Sequence, residues 1–241
     1  MEQPNIQTNN VGNMGDIIKH SLIVQIMKKL IEFKPKTFVY VDLHTYLFHS
    51  KCDLVRFESE TKKLSDIDDY ISIEQSHLEE TGFYLCSSGI ATHFLREVED
   101  SYCILSEQNP QTKVQLESQL SQYTRVPHYI MNHSTELPQR LRALPPSSTL
   151  FVLIDPFKLT LEDWSVQMAT ITECVKSSPD VKAVIEVFDY DEIDSDALWS
   201  KFSIDSVFKM VRSYQHKKYH LAVFATHNIA DSISQAVQVK L

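Results

Sequence analysis

Three acidic residues lie at or just after the ends of apolar, β-rich runs of the sequence. Asp42 closes the run TFVYVD, Glu107 follows YCIL by two positions, and Asp155 closes LFVLID. Such runs predict strands buried on both faces of a parallel sheet, and these sheets bind ligands beyond the carboxyl ends of their strands. A carboxylate after the second strand suits a ribose, because it accepts hydrogen bonds from both hydroxyls. Glu107 is therefore a candidate ribose ligand; alone, it is equally well explained as a surface glutamate before a helix.

Asp155 begins the segment Asp155-Pro156-Phe157-Lys158. The proline fixes the turn after the strand and removes a backbone N–H. The carboxylate can accept a hydrogen bond from an exocyclic amine, and a nearby aromatic ring such as Phe157 can stack on a base. A strand that simply ends in an Asp-Pro turn is the structural alternative.

Two basic residues, Lys19 and His20, lie near the start of a helix predicted over 16–33, with Asp16 as its cap. Placed in the first turn, they would face the positive end of the helix dipole, where acidic residues are preferred. A bound carboxylate would explain them, because it gains from the helix N-terminus and the ammonium group together. A solvent-exposed lysine of small cost is the alternative.

The chain alternates predicted helices and strands, which indicates βαβ units, a mostly parallel sheet and the α/β class. A polar, irregular stretch over 45–82 interrupts this order and is interpreted as an inserted subdomain within a single domain spanning 1–241. The last two runs, SVFKMVRSY and KYHLAVFAT, predict a C-terminal antiparallel hairpin. The other predicted helices lie at about 88–98, 111–122, 134–143, 161–177 and around Trp199, and the other strands at 102–105, 128–131, 150–155 and 183–188.

The composition is that of a globular domain with a sizeable core. The 241 residues are 43% hydrophobic and 23% charged, and the formal net charge of -9 argues against a large, non-specific phosphate-binding surface. The N-terminus does not have the pattern of a signal peptide, and no run of about 18 apolar residues predicts a membrane span, so we expect a cytoplasmic protein. The four cysteines form no CxxC pair and the histidines lack metal-ligand spacing, so no metal site is expected.

Several blocks together resemble the RlmJ family, the adenine-N6 methyltransferases of large-subunit ribosomal RNA. They occur in the family's order and span nearly all of the chain. VGNMGDIIKH (11–20) is similar to the family's GNxxDxxKH signature, and FVYVDLH (38–44) to its first strand ending in Asp-x-His. YLCSSGIA (84–91) is similar to a Tyr-Pro-Gly-Ser-Pro segment, and LSEQNP (105–110) and LPPSSTLFVLIDP (144–156) to the Glu-x-x-Pro and Leu-Pro-Pro…Asp-Pro blocks.

The resemblance implies a Rossmann-like fold that binds S-adenosyl-L-methionine (SAM) and methylates an adenine in RNA, with DNA as the alternative substrate. Asp155 would be the catalytic residue, hydrogen-bonding the adenine amine, and Phe157 and Lys158 would lie on the substrate side. Six residues match positions around the family's SAM pocket: Lys19, His20, His44, Ser87, Glu107 and Asp155.

The sequence departs from the family in two segments. The family has a glycine-rich turn after Asp-x-His, whereas residues 45–48 here are Thr-Tyr-Leu-Phe, whose side chains could fill a cofactor site. The family's Asp-Pro-Pro-Tyr becomes Asp-Pro-Phe-Lys. A catalytically degenerate scaffold that binds a protein or nucleic acid is therefore a second hypothesis. A Mg²⁺-dependent hydrolase or nuclease using Asp42, Glu107 and Asp155 is a third.

Overall fold

A computed structural model describes residues 12–131, 136–155, 161–178, 180–189, 207–216 and 219–239 of the protein. Within these ranges, every helix is too short or too polar to cross a membrane. The helices are α1 (Met14–Glu32), α2 (Leu54–Thr61), α3 (Asp68–Thr81), α4 (Ser87–Leu95), α5 (Pro110–Tyr123), α6 (Leu137–Arg142), α7 (Leu161–Ser177) and α8 (Ala230–Ala236). The strands are β1 (Thr37–Asp42), β2 (His49–Ser50), β3 (Tyr84–Leu85), β4 (Asp100–Ser106), β5 (His128–Met131), β6 (Thr149–Ile154), β7 (Lys182–Asp189), β8 (Phe208–His216) and β9 (Tyr219–Thr226).

Seven strands form one sheet in the order β5-β4-β1-β6-β7-β9-β8. The first five in this order run parallel, and β9 pairs antiparallel with both β7 and β8. The α/β class, the mostly parallel sheet and the C-terminal hairpin are thus confirmed. Because the strand order reverses at β1, the carboxyl ends of β1 and β6 form the topological switch point at which such sheets bind ligands.

Two apolar cores cover the two faces of the sheet. Helices α1, α4, α5 and α8 pack on one face, which we call the α1 face. Helices α6 and α7 pack on the other. Leu153 of β6 lies opposite Asp42 of β1 and opposite Glu186 of β7. Partners in a parallel register point to the same face, and Leu153 belongs to the α1-face core. Two carboxyl side chains therefore point from the sheet toward α1.

The described elements differ from the predictions mainly at their ends. Helix α1 begins at Met14 rather than residue 16, because Asn13 is the N-cap and its side chain accepts the N–H of Asp16. Lys19 and His20 consequently lie in the second turn of α1, not in the first. Helix α8 was not predicted, and the helix expected around Trp199 falls outside the described residues.

The stretch 45–82 contains β2, α2 and α3, and β2 pairs antiparallel with β3, which follows this stretch. Helix α3 ends at Gly82, whose φ of +74° is the left-handed conformation common at helix C-termini. Whether this stretch behaves as a separate subdomain stays a prediction.

Candidate active site

The ammonium group of Lys19 lies between two carboxylates at the carboxyl edge of the sheet. Lys19 is buried, and its Nζ lies 3.2 Å from Asp16 Oδ1 and 2.5 Å from Asp155 Oδ2. Asp16 is fixed at the start of α1, because its other oxygen accepts the N–H of Gly12 at 3.0 Å. Burial raises the pKa of Asp155, and the charge and hydrogen bond of Lys19 oppose that rise. Lys19 thus favours an ionised, hydrogen-bond-accepting Asp155.

Asp42, the last residue of β1, is completely buried and accepts three hydrogen bonds. Its Oδ2 accepts the hydroxyl of Ser87 at 2.6 Å and that of Tyr40 at 3.2 Å, and its Oδ1 accepts the backbone N–H of His44 at 3.1 Å. Burial raises the pKa of Asp42 to about 6; the bonds from Ser87 and His44 oppose that rise, and the charge of Asp155 adds to it. Asp42 therefore anchors the start of α4 and the turn after β1.

Glu107 follows β4 and is half-buried at the same edge of the sheet. Its Oε1 accepts the backbone N–H of Asn109 at 2.6 Å. Burial raises the pKa of Glu107, and the charge of Asp42 raises it further, whereas the backbone bond from Asn109 lowers it. The carboxylate is thus held by the local turn and lies within electrostatic range of β1.

The glycine-free turn 45–48 crosses from β1 over the end of β4 toward α4. The N–H of Thr45 donates to Ser106 O at 2.9 Å, and Phe48 O accepts the N–H of Cys86 at 3.0 Å. The Phe48 ring stacks on Tyr123 of α5, with centroids 6.0 Å apart and planes at 12°. Phe48 is therefore part of the apolar core on the α1 face.

A glycine on the neighbouring helix accommodates this turn. A Cβ built on Gly89 of α4 would lie 2.5 Å from Phe48 O, a distance that real Cβ atoms do not reach. Gly89 thus lets α4 approach the backbone of the turn more closely than any other residue could. Tyr46 behaves differently from Phe48: its hydroxyl is buried, and Cys86 and Glu107 act on it electrostatically.

Glu186 of β7 is a carboxyl group that the sequence analysis did not single out. It is completely buried, and neither of its oxygens has a hydrogen-bond partner among the described residues. Burial raises the pKa of Glu186 well above its ordinary value, which the charge of Lys19 opposes and those of Asp155 and Asp42 increase. The signal was present in the sequence as the single charged residue of the run AVIEVF, but nothing there indicated its neighbours.

Of the six residues predicted for the cofactor, the structure brings five to the carboxyl edge of β1, β4 and β6. These are Lys19, His44, Ser87, Glu107 and Asp155. His20 points elsewhere: its Nδ1 lies 2.8 Å from the hydroxyl of Tyr84, which in turn lies 2.6 Å from that of Tyr70. Burial and the charge of Lys19 lower the pKa of His20 well below its ordinary value. A neutral structural histidine explains these contacts, so its contact with a cofactor stays a prediction.

The predicted substrate-side residues, Phe157 and Lys158, lie outside the described residues. In the part of the chain that the structure describes, no three histidine, cysteine, aspartate or glutamate side chains are grouped so that they could hold a metal ion. Asp155 is instead bound to Lys19, Asp42 to hydroxyls and a backbone N–H, and Glu107 to a backbone N–H.

Comparison with known proteins shows the fold of the chain. The sequence matches no family model, and no curated protein matches it. A solved structure from Legionella pneumophila strain Philadelphia 1, described by the family model DUF519, is 18% identical, covers 95% of this chain and 91% of its own, and has a TM-score of 0.64. An rRNA methylase of Streptococcus thermophilus is 12% identical over 83% of this chain and 93% of its own, with a TM-score of 0.44. A putative methylase of Haemophilus influenzae is 10% identical, covers 88% of this chain and 98% of its own, and has a TM-score of 0.47. The chain therefore shares the Rossmann-like α/β fold of the Legionella structure, and membership in the RlmJ family stays a prediction.

Proposed function

We propose that the protein is a SAM-dependent methyltransferase that methylates an exocyclic amine. One observation carries this proposal: Lys19 holds the Asp155 carboxylate at the carboxyl end of β6, beside the topological switch point of the sheet. An ionised carboxylate there can accept a hydrogen bond from an N–H donor, which orients the nitrogen lone pair for attack. Orientation and electrostatics of this kind are what a methyl transfer needs from a protein.

The polar groups at this edge fit the cofactor. Glu107 supplies a half-buried carboxylate for the ribose hydroxyls. The Tyr46 hydroxyl is buried without a hydrogen-bond partner among the described residues, so it is left for a ligand. Phe48 leaves the edge free because its ring packs on Tyr123. When bound, SAM would supply an electrophilic methyl group to the amine nitrogen, with S-adenosylhomocysteine as the leaving group and the amine proton passing to solvent.

Under this proposal, some residues of the site contact the ligands and others position those residues. Asp155 orients the acceptor amine and Glu107 binds the ribose, so both contact a ligand. Ser87 and His44 act through Asp42, since both donate to its carboxylate and thereby fix the start of α4 and the turn after β1. Lys19 sets the charge of Asp155.

We propose adenine N6 in RNA as the acceptor, with DNA as the alternative, on the basis of the resemblance to the RlmJ family. The sequence Asp155-Pro156-Phe157 supports it, because a carboxylate can accept a hydrogen bond from the amine of a base and an aromatic residue nearby in the sequence can stack on that base. The net charge of -9 favours a local contact over an extended phosphate-binding surface.

A degenerate, non-catalytic scaffold is the second candidate, and the Lys19 contacts favour it. A lysine bound by two protein carboxylates has less capacity to attract the carboxylate of a cofactor. In that case the chain would bind a partner without methyl transfer.

Two measurements distinguish the candidates. Isothermal titration with SAM should give saturable binding, and transfer of a labelled methyl group to total RNA should yield N6-methyladenosine on nucleoside analysis. Asp155→Asn should abolish transfer while SAM binding persists. Absence of binding at millimolar SAM contradicts the enzyme proposal, and binding without transfer to RNA or DNA contradicts the nucleic-acid substrate.

A further inference from the structure

The hydroxyl of Tyr46 is a buried polar group without a structural use in the described parts of the chain. Its oxygen is inaccessible to solvent and has no hydrogen-bond partner there, although the residue as a whole is only partly buried. Burying a hydroxyl without a partner is costly, because its bonds to water are lost and not replaced. A phenylalanine would pack the same ring without that cost. A hydrogen bond to a bound ligand would explain why the residue has a hydroxyl.

Two ionisable groups at the candidate cofactor edge act electrostatically on the Tyr46 hydroxyl. Burial raises the pKa of Tyr46, and the nearby ionisable groups of Cys86 and Glu107 raise it further. Cys86 is the residue before α4, and Glu107 is the residue after β4. The residues on either side of Tyr46 are hydrogen-bonded to these same elements, Thr45 to Ser106 at the end of β4 and Leu47 to Ser88 at the start of α4.

The turn that carries Tyr46 is fixed on both sides of it. Before Tyr46, the N–H of Thr45 donates to Ser106 O. After it, Leu47 O accepts the hydroxyl of Ser88 at 3.1 Å, and Phe48 O accepts a backbone N–H of the α4 cap. A turn held by these bonds positions the phenol before any ligand arrives, which reduces the entropy cost of binding.

We propose that the Tyr46 hydroxyl is a cofactor-binding group, which donates a hydrogen bond to a ribose oxygen of SAM beside the Glu107 carboxylate. Glu107 accepts from the ribose and Tyr46 donates to it, so the pair matches a hydroxyl that both gives and receives a hydrogen bond. In this chain a side chain thereby contacts the cofactor where a glycine turn would offer only backbone. The inference rests on the proposed function and deepens it by adding a residue to the cofactor site.

The test compares SAM and S-adenosylhomocysteine affinities of the wild type, Tyr46→Phe and Tyr46→Gly by isothermal titration. Tyr46→Phe should weaken both ligands about tenfold, which corresponds to 1.4 kcal/mol. Tyr129→Phe is the matched control, because Tyr129 lies exposed on the edge strand β5. This variant should bind both ligands with the affinity of the wild type.

Thermal unfolding separates a ligand role from a structural one. Without ligand, Tyr46→Phe should unfold at the same or a higher temperature than the wild type, because an unsatisfied hydroxyl is removed. With saturating SAM, its gain in melting temperature should be smaller than that of the wild type. A purely structural hydroxyl would instead lower the melting temperature of the free protein.

Three results would overturn the inference. Equal affinities of Tyr46→Phe and the wild type would show that the hydroxyl makes no contact with the cofactor and would leave the proposed function intact. Tighter binding by Tyr46→Gly than by the wild type would show that the ring obstructs the site. Absence of SAM binding by the wild type at millimolar concentration would remove the proposed function and this inference together.

Discussion

Lys19 and Asp155, which lie 136 positions apart in the chain, form a partly buried ion pair with 2.5 Å between Nζ and Oδ2. The pair joins the first helix to the end of β6, and Asp16 binds the same ammonium group from within α1. The position of Lys19 in the sequence suggested a bound carboxylate, and in the structure carboxylates of the protein itself bind it. Charge balance at the site is therefore an internal property of the fold, with consequences that can be measured.

The partly buried pair should contribute more to stability than a surface pair. Lys19→Met leaves the largely covered Asp155 carboxylate without this partner, so we expect the free energy of unfolding at pH 8 to fall by about 2 kcal/mol, less than for a fully buried pair. The loss should shrink at lower pH, where protonation of Asp155 removes the unpaired charge. Urea denaturation measures both values. Lys28→Met is the control, because Lys28 pairs with Asp69 at an exposed site and its loss should cost about 0.5 kcal/mol. If both variants lost the same free energy of unfolding, Lys19 would contribute no more to stability than a lysine in a surface ion pair.

Glu186 should destabilise the protein as pH rises. Its folded-state pKa is raised, so the folded state binds its proton in a pH range where the unfolded chain has released it. Stability is therefore lost from pH 4.5 upward through the folded-state pKa, by at most about 1.4 kcal/mol per pH unit. Glu186→Met should flatten this decline and be the more stable protein at pH 8, as measured by urea denaturation from pH 4.5 to 8. Glu117→Met, at an exposed position of α5, should leave the slope unchanged. A wild-type slope retained in Glu186→Met would exclude this role.

The placement of the acidic strand ends could be predicted from the sequence. Each apolar run is long enough for one buried strand, and the alternation with helices requires a parallel sheet, so Asp42, Glu107 and Asp155 had to meet at one edge. The C-terminal hairpin was predicted from the alternating runs at the end of the chain, whereas the order of the strands in the sheet was not.

Contacts between distant side chains could not be predicted from the sequence pattern. Asn13 caps α1 in place of Asp16, and the Asp16 carboxylate instead accepts the N–H of Gly12 and binds the ammonium group of Lys19. His20 is adjacent to Lys19 in sequence, but on a helix the two point in directions about 100° apart, and His20 contacts Tyr84 instead. Such choices depend on which groups the fold brings together.

Ser87 should control the ionisation of Asp42. Its hydroxyl donates to Oδ2 at 2.6 Å and lowers the pKa of Asp42, which burial holds at about 6. Ser87→Ala removes that bond, so the pKa of Asp42 should rise above 6, as followed by the side-chain carboxyl ¹³C shift in an NMR titration. Ser88→Ala is the control, since its hydroxyl donates to Leu47 O and the titration of Asp42 should not change. An unchanged midpoint in Ser87→Ala would show that the hydrogen bond is unimportant.

Gly89 should be intolerant of even a methyl group. Alanine is favoured over glycine inside a helix by about 1 kcal/mol, yet a Cβ at Gly89 would lie 2.5 Å from Phe48 O and 2.6 Å from Leu85 Cδ2. The backbone of Phe48 must move to accommodate it, which shifts the turn that carries Tyr46. We expect Gly89→Ala to lower the free energy of unfolding by about 2 kcal/mol and to weaken SAM binding together with it.

Gly82→Ala provides the comparison, because its φ of +74° imposes backbone strain while no atom lies within 4 Å of the added Cβ. That strain should cost about 1 kcal/mol and leave SAM affinity unchanged. Urea denaturation and isothermal titration on the two variants therefore separate a steric effect on the turn from a local effect at a helix end. If Gly89→Ala is as stable as the wild type, α4 and the turn 45–48 do not approach as closely as the structure has them. If it is destabilised but binds SAM normally, the turn does not position the cofactor.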